Sequence, residues 1–392
     1  LRVGRAGSWP KPGGMPATTV SSLPAKAAGR VGIIANLDEL PLPDFSFDRE
    51  YALAGGTLAP RRERDEVRTV LFSGSRGCLY SCDYCSNGRL RAMYAGLGRY
   101  ARKMSVGRFI EGLEHCRRSF PNVAAFYFTD EDFFARPPAE LRQFAEEYPR
   151  RIGLPFECMA SPLQITDEKM SLLAGAGLWR IDVGLESGSE HTRRKQLNRP
   201  VTAEAATRAA SAIARHPHVV AYYFLIIGNP YESRADLLRG IDFLRGMKAP
   251  FFLRTYSLVF IPGTGLYERA CRDGLIGGLS DSAFEIDFLG GFDHRTHAWK
   301  RNNLYLNSLL ALMAGKFTRR RMGLLPRALV PALTTPGVVD FCDRHPIVGA
   351  SLGGLSRGGL AARRRGLALV SKVVRHPQLA YGVKAFVLRR RR

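Results

Sequence analysis

The sequence predicts an α/β fold made of six successive strand–helix units. Two observations predict it. Short apolar runs alternate with amphipathic stretches from residue 69 to about residue 262. Helical stretches separate the runs, near 105–119, 138–148, 166–175, 202–215 and 232–247. Short buried strands separated by helices imply parallel pairing and right-handed crossovers.

The first run, Thr69-Val-Leu-Phe72, reads as a buried strand over 69–73, with a helix near 105–119. Val123–Thr129 is the second strand, with a helix near 138–148; Leu154–Met159 is the third, with a helix near 166–175. Trp179–Leu185 and a helix near 202–215 follow, then Val219–Ile227 and a helix near 232–247, then Phe251–Phe260. Beyond residue 275 the pattern changes. Leu304–Phe317 reads as one leucine-rich helix, and Pro326, Pro331 and Pro336 leave no long helix over 323–337. Leu360–Arg375 reads as a basic helix with Leu367, Val370 and Val374 on one face, which Arg363 interrupts.

Composition narrows the class. The chain has 392 residues, 45% of them hydrophobic, so it is long enough for a large core. No apolar run approaches the roughly eighteen residues of a membrane span, and no secretory signal is read in the opening residues. The chain begins with Leu1, and residues 1–35, rich in Gly, Pro and Ala, read as a linker or the end of something longer. Net charge is +23 and unevenly spread: after Asp343 no acidic residue follows, and the chain ends Arg389-Arg-Arg-Arg392. Such a block fits an anionic membrane surface or nucleic acid. A solvated tail is the preferred reading, and nucleic acid is the least favoured partner.

The loop after the first strand carries the chemistry. It reads Ser75-Arg-Gly-Cys78-Leu-Tyr-Ser-Cys82-Asp-Tyr-Cys85-Ser-Asn-Gly88. Cys116, Cys158, Cys271 and Cys342 are scattered, which suits a reducing cytosol rather than a disulfide framework. Three thiolates at Cys-x3-Cys-x2-Cys spacing reach one metal centre without long-range folding, and soft sulfur suits zinc or iron–sulfur. A structural zinc site is closed by four ligands. An iron–sulfur cube with three protein thiolates keeps one iron for a substrate, so a catalytic cluster is preferred.

Cys78, Cys82 and Cys85, with Tyr84 before the last, resemble the signature of the radical S-adenosylmethionine (radical SAM) superfamily. The resemblance implies a partial (β/α)6 TIM-type barrel over 64–285. A linker over 1–63 precedes it, and a helical, basic C-terminal extension over 286–392 follows. It also implies a 4Fe-4S cluster on the three cysteines, S-adenosylmethionine (SAM) as cofactor, and an external electron donor of flavodoxin or ferredoxin type. Further phrases follow in the family's order. Phe128-Thr129-Asp130-Glu131-Asp132 resembles the acidic strand end that meets the SAM ammonium. Gly184-Leu-Glu186-Ser187-Gly188 resembles the ribose-binding phrase, with Glu186 and Ser187 as candidates, although Ser187 or Ser189 also reads as a helix N-cap. Ile226 and Gly228 fall in the adenine-flanking strand, Tyr84 lies near the adenine, and Asn198-Arg199 and Pro262-Gly263 complete the set.

Asn36–Phe45, with Pro41 and Pro43, resembles the joint after the cobalamin domain in the cobalamin-associated branch, the class B methyltransferases. Cobalamin is therefore a candidate cofactor and methyl transfer the first expected reaction, although no intact cobalamin-binding domain is read ahead of the joint. A SAM-only oxidation, cyclisation or rearrangement is the second. A non-catalytic, metal-stabilised nucleic-acid-binding protein is the reading from another class. Asp343-x-His345-x3-Gly349 is one residue too long for a cobalamin-ligand motif and reads as coincidence. His294 and His297 read as surface residues. A cytoplasmic enzyme completes the expectation, with peripheral membrane contact through its basic end as the alternative to a solvated tail, and the substrate is not legible.

Overall fold

The structure, a computed structural model, describes residues 33–45, 51–54, 56–60, 67–277 and 302–357. The expected strands are β1 (Thr69–Phe72), β2 (Ala125–Phe128), β3 (Phe156–Ala160), β4 (Leu178–Glu186), β5 (Val220–Ile227) and β6 (Phe251–Ser257). They pair in parallel in chain order, and β1 and β6 do not pair, so the barrel stays open. The helices are α1 (Ser86–Met93), α2 (Val106–Ser119), α3 (Pro138–Arg151), α4 (Asp167–Ala176), α5 (Ala203–Ala214), α6 (Arg234–Gly246) and α7 (Gly265–Arg272). The α/β partial barrel read from the sequence is therefore the fold.

Local chemistry sets the helix starts. Ser105, Thr166, Thr202, Ser233 and Thr264 each accept a hydrogen bond from a first-turn amide of α2, α4, α5, α6 and α7. Such caps satisfy amides that the helix itself leaves unpaired.

Along β5 the residues alternate between half-buried and buried, and β2 and β3 do the same. Phe128, Phe156, Cys158, Ile181, Val183 and Leu225 bury on the helix side. Phe128 and Phe156 stack at 4.8 Å, and Phe109 of α2 meets Phe128 edge-on at 5.0 Å. The opposite face turns to the barrel lumen and carries Tyr127, Glu157, Arg180, Tyr222 and Arg254. A parallel sheet is normally apolar on both faces, so this polar face marks the ligand side.

The C-terminal region is mainly helical but differs from expectation in one respect. The helix expected over Leu304–Phe317 stops at Met313, giving α8 (Leu304–Met313). Gly315 takes a φ of +124°, and β7 (Gly315–Phe317) pairs antiparallel with β6. β8 (Arg321–Met322) and β9 (Leu325–Pro326) extend the same sheet. Phe251 and Phe317 stack at 4.5 Å across the β6–β7 pair, a packing gain that outweighs the helical tendency of the last residues. α9 (Val330–Leu333), α10 (Pro336–Arg344) and α11 (Pro346–Arg357) follow, the last two starting on proline. The expected basic helix over 360–375, the Arg389–Arg392 block, residues 1–32, His294 and His297 lie outside the described residues.

One close approach fixes the barrel top. A Cβ on Gly188, in the loop after β4, would sit 2.4 Å from the Gly240 carbonyl oxygen of α6. Gly188→Ala is expected to lower stability by about 1–3 kcal/mol, the usual cost of overpacking. Urea unfolding checks this; an unchanged midpoint would mean that the loop can retreat from α6.

Candidate active site

The three-cysteine loop lies at the carboxyl end of β1, where the loops of such barrels carry chemistry. Two short strands, Ser75–Arg76 and Arg102–Lys103, pair antiparallel and brace it. Gly77 has a φ of +81°, and a Cβ there would meet the Tyr100 carbonyl oxygen at 2.5 Å, so only glycine fits. The Arg91 guanidinium donates to the Cys78 carbonyl, and Tyr100 hydroxyl donates to Asn87 at 2.8 Å. From the far side of the barrel, Asn198 donates to the Ser81 carbonyl at 3.1 Å and to Asp83 Oδ1 at 3.2 Å.

Cys78, Cys82 and Cys85 are free thiols and line one cavity of about 220 Å³. Tyr84, Glu131, Glu186 and Arg199 share its wall. Among the described residues no three His, Cys, Asp or Glu side chains converge on a single ion. A polynuclear cluster does not require such convergence, because each iron takes its own thiolate. Donor type, loop spacing and a shared cavity fit a 4Fe-4S cluster. Burial pushes the Cys78 thiol up to about 11 and raises Cys82 as well.

Arg199 is the hub of the cavity wall. Its Nη2 donates to the Gly184 carbonyl at 2.6 Å, and its Nη1 lies 3.4 Å from Tyr84 hydroxyl and 3.7 Å from Cys82 Sγ. Burial opposes its charge, but Tyr84, Glu186 and Cys82 outweigh that and push its pKa up. Glu186 is raised by burial, with Arg199 and the Tyr84 hydroxyl pulling the other way. Glu186 also has a φ of +69°, at a register shift between β4 and β5. Left-handed backbone in a residue with a Cβ is strained, and such strain clusters at functional positions.

The structure separates the sequence candidates into groups. Cys78, Cys82, Cys85, Tyr84, Glu131 and Glu186 meet at the cavity. Ile226 packs against the same small apolar cluster as Tyr84. The Thr129 amide is spent on the Phe72 carbonyl at 2.9 Å, and Asp130 Oδ2 accepts from the Gly74 amide at 3.0 Å. Both brace the head of β1; Asp130 and Glu131 line a neighbouring cavity of about 250 Å³ that shares Cys78. The Gly228 amide, at a φ of +75°, donates to Asn307 Oδ1 of α8 at 2.8 Å.

Ser187 points away from the cysteines. Its hydroxyl donates to Glu232 Oε1 at 2.7 Å, and Ser189 caps the following turn by accepting from the Thr192 amide. The alternative reading of Ser189 as a cap is the geometry found.

Tyr80, between the first two cysteines, was not singled out by the sequence, nor were Asp132 and Arg199 as individual residues. Tyr80 hydroxyl donates to Asp132 Oδ2 at 3.4 Å and accepts from Gln164 at 3.2 Å. Burial pushes Asp132 up to about 7. The available signals were a tyrosine inside the cysteine spacing and an Arg after Asn198, whose φ of +49° turns the chain back on the loop.

Glu232 gives a prediction about pH. Burial pushes it up to about 7, with the Ser187 hydrogen bond and the nearby Thr192 hydroxyl opposing and Asp236 reinforcing the rise. A carboxyl raised in the folded state binds protons that the unfolded chain has lost. Its contribution is full below about pH 4.3, the unfolded value, and disappears as pH rises through about 7. Glu232→Gln should therefore flatten stability against pH between those limits, which urea titrations across the window measure. Asp236 is lowered, with burial opposed by Ser233, Arg239 and Ser189, so it titrates below that window. A wild-type slope surviving in the variant would assign the effect elsewhere.

Residues 72–244 match the family model of the Radical SAM superfamily. No curated protein sequence matches the chain. Among solved structures it is similar to the radical SAM methyltransferase TsrM from Kitasatospora setae with tryptophan and a SAM analogue bound, at 16% identity and a TM-score of 0.44, over 54% of this chain and 40% of that one. It is similar to the cobalamin-dependent SAM radical enzyme OxsB at 18% identity and a TM-score of 0.38, over 50% and 31%. Coproporphyrinogen III oxidase HemN from Escherichia coli gives 12% identity and a TM-score of 0.39, over 55% and 49%. The match thus spans less than half the length of each of these proteins. With its cysteine loop at the head of the first strand of an open parallel barrel, residues 72–244 carry a domain of the Radical SAM superfamily model.

Proposed function

We propose that Cys78, Cys82 and Cys85 hold a 4Fe-4S cluster that binds SAM, and that the enzyme starts radical chemistry on an organic substrate, with cobalamin-dependent methyl transfer as the reaction. One observation carries the reading: three thiols of a single loop line the same cavity as Tyr84 and Glu186. When bound, the cluster and SAM supply a carbon-centred radical by one-electron cleavage of a carbon–sulfur bond. The protein's part is to bind, orient and exclude water.

In this reading Glu186 accepts hydrogen bonds from the ribose hydroxyls, as a carboxylate can from two donors. Tyr84 and Ile226 flank the adenine, and at the Gly228 strand end only the carbonyl is left for the base edge, because Asn307 holds the amide. Glu131 at the rim meets the methionyl ammonium, while Thr129 and Asp130 hold the loop beneath. Ser187 acts at one remove, through Glu232. A flavodoxin or ferredoxin type donor supplies the electron.

Methyl transfer rests on the resemblance around Asn36–Phe45. Ahead of β1 the described residues contain a 3-10 turn and the hairpin Tyr51–Ala54 with Thr57–Pro60, and no doubly wound unit. The second reading is a SAM-only oxidation, cyclisation or rearrangement. Anaerobically reconstituted protein is assayed for iron and sulfide, for 5′-deoxyadenosine after reduction, and for corrin uptake from hydroxocobalamin. 5′-Deoxyadenosine with corrin uptake supports the first reading. 5′-Deoxyadenosine without corrin selects the second. A single zinc ion and no SAM cleavage overturn both.

Among the described residues no helix is long and apolar enough to cross a membrane.

A further inference from the structure

The lumen around the cysteine cavity carries a further set of charges to which the proposed function assigns no role. Strand register places them in rows. Asp182 of β4 lies level with Tyr222 of β5 and Phe252 of β6, and Gly184 lies level with Phe224 and Arg254. Asp182, Gly184 and Phe224 line the cysteine cavity. Arg254 therefore stands one strand beyond the cavity wall, at the same height.

The two arginines of the lumen are in different states. Arg180 is fully engaged: it meets Glu157 at 2.9 Å and grips both oxygens of Asp182 at 2.9 and 2.8 Å. Tyr127 hydroxyl adds a further bond to Asp182 at 3.1 Å. Arg254 is exposed, and its guanidinium lies 4.7 Å over the Tyr222 ring. No carboxylate is bonded to it among the described residues. It contributes only a longer-range field at Glu157, which Arg180 already binds directly.

A guanidinium that rests its face on an aromatic ring leaves its in-plane N–H groups free, and that edge matches a carboxylate or phosphate. The surroundings supply an apolar platform. Tyr222 stacks on Phe252 at 4.7 Å, and Phe224 meets Tyr256 edge-on at 5.5 Å. We propose that Arg254, on this aromatic wall, recognises the anionic group of the substrate, and that the substrate is an aromatic or apolar molecule bearing a carboxylate or phosphate. The assignment deepens the proposed function and rests on it for the identity of the occupant as substrate.

Fluorescence titration of the reconstituted full chain tests it with three probes: 2-naphthoate, 2-naphthyl phosphate and the neutral 2-naphthamide. At least one anion should bind about tenfold or more tighter than the amide, the worth of one charge-assisted hydrogen bond. The tighter anion tells carboxylate from phosphate. Arg254→Gln should bring anion and amide within about twofold of each other, and Arg254→Lys should keep part of the preference, since a point charge lacks the fork. Equal binding of all three probes by wild type overturns the proposal. So does an anion preference that survives Arg254→Gln, which would place binding on the basic surface of this +23 chain. The titration needs no SAM cleavage. A preparation that discriminates anions yet forms no 5′-deoxyadenosine overturns the proposed function alone.

Discussion

Cys82→Ala is expected to abolish both cluster retention and 5′-deoxyadenosine formation. Replacing a direct ligand should lower SAM cleavage by more than about 100-fold, because even outer partners of metal sites cost about 10–100-fold. Cys82 is the most informative of the three. It is buried, its backbone carbonyl accepts from the Cys85 amide at 3.1 Å, and Arg199 faces its sulfur at 3.7 Å. Cys78→Ala and Cys85→Ala should match it. Cys116→Ala should retain iron, since that thiol is buried in the core and lines no part of the site. Iron, sulfide and visible absorbance of anaerobic preparations are the readouts. Full iron content in Cys82→Ala would remove the basis of the assignment.

Arg199→Ala should be the most destabilising single change at the site. The residue is 7% exposed, and its guanidinium is shared among Gly184, Tyr84 and Cys82. Removing it leaves the Glu186 carboxylate and the Gly184 carbonyl without their cationic partner. Leaving buried acceptors unpaired costs about 1–3 kcal/mol each, and more where a charge is nearby. A Cβ on Gly184 would lie 2.6 Å from Glu186 and 2.9 Å from Arg199, so the packing leaves little room to rearrange. Urea unfolding of the metal-free protein at neutral pH measures the loss without reference to activity. Arg199→Lys should recover only part of it, because one ammonium cannot reach three acceptors as the planar fork does. A loss below about 1 kcal/mol would mean that water replaces the guanidinium.

The order of the barrel strands and the three thiols were legible because both are local. Six apolar runs, each followed by an amphipathic stretch, specify six parallel strands whatever else the chain does. Cysteines at close spacing meet within one loop. The candidates from the later strand ends were legible only as phrases. Their side-chain directions depend on the register and twist of neighbouring strands, so Glu186 turns into the cavity and adjacent Ser187 turns behind it to Glu232.

By itself the sequence determined the six strand–helix units, the close spacing of the three cysteines and the excess of positive charge. Only the tertiary structure decided that Arg199, 117 residues from Cys82, would face its sulfur. It alone ended α8 at Met313, because the pairing of Gly315–Phe317 with β6 exists only once the barrel edge is formed. It alone left Arg254 facing the lumen with no carboxylate bonded to it among the described residues, while Arg180 took two. The physical reason is the same in each case. Local spacing controls contacts within a turn or a loop, whereas partners far apart in the chain are chosen by packing and strand register.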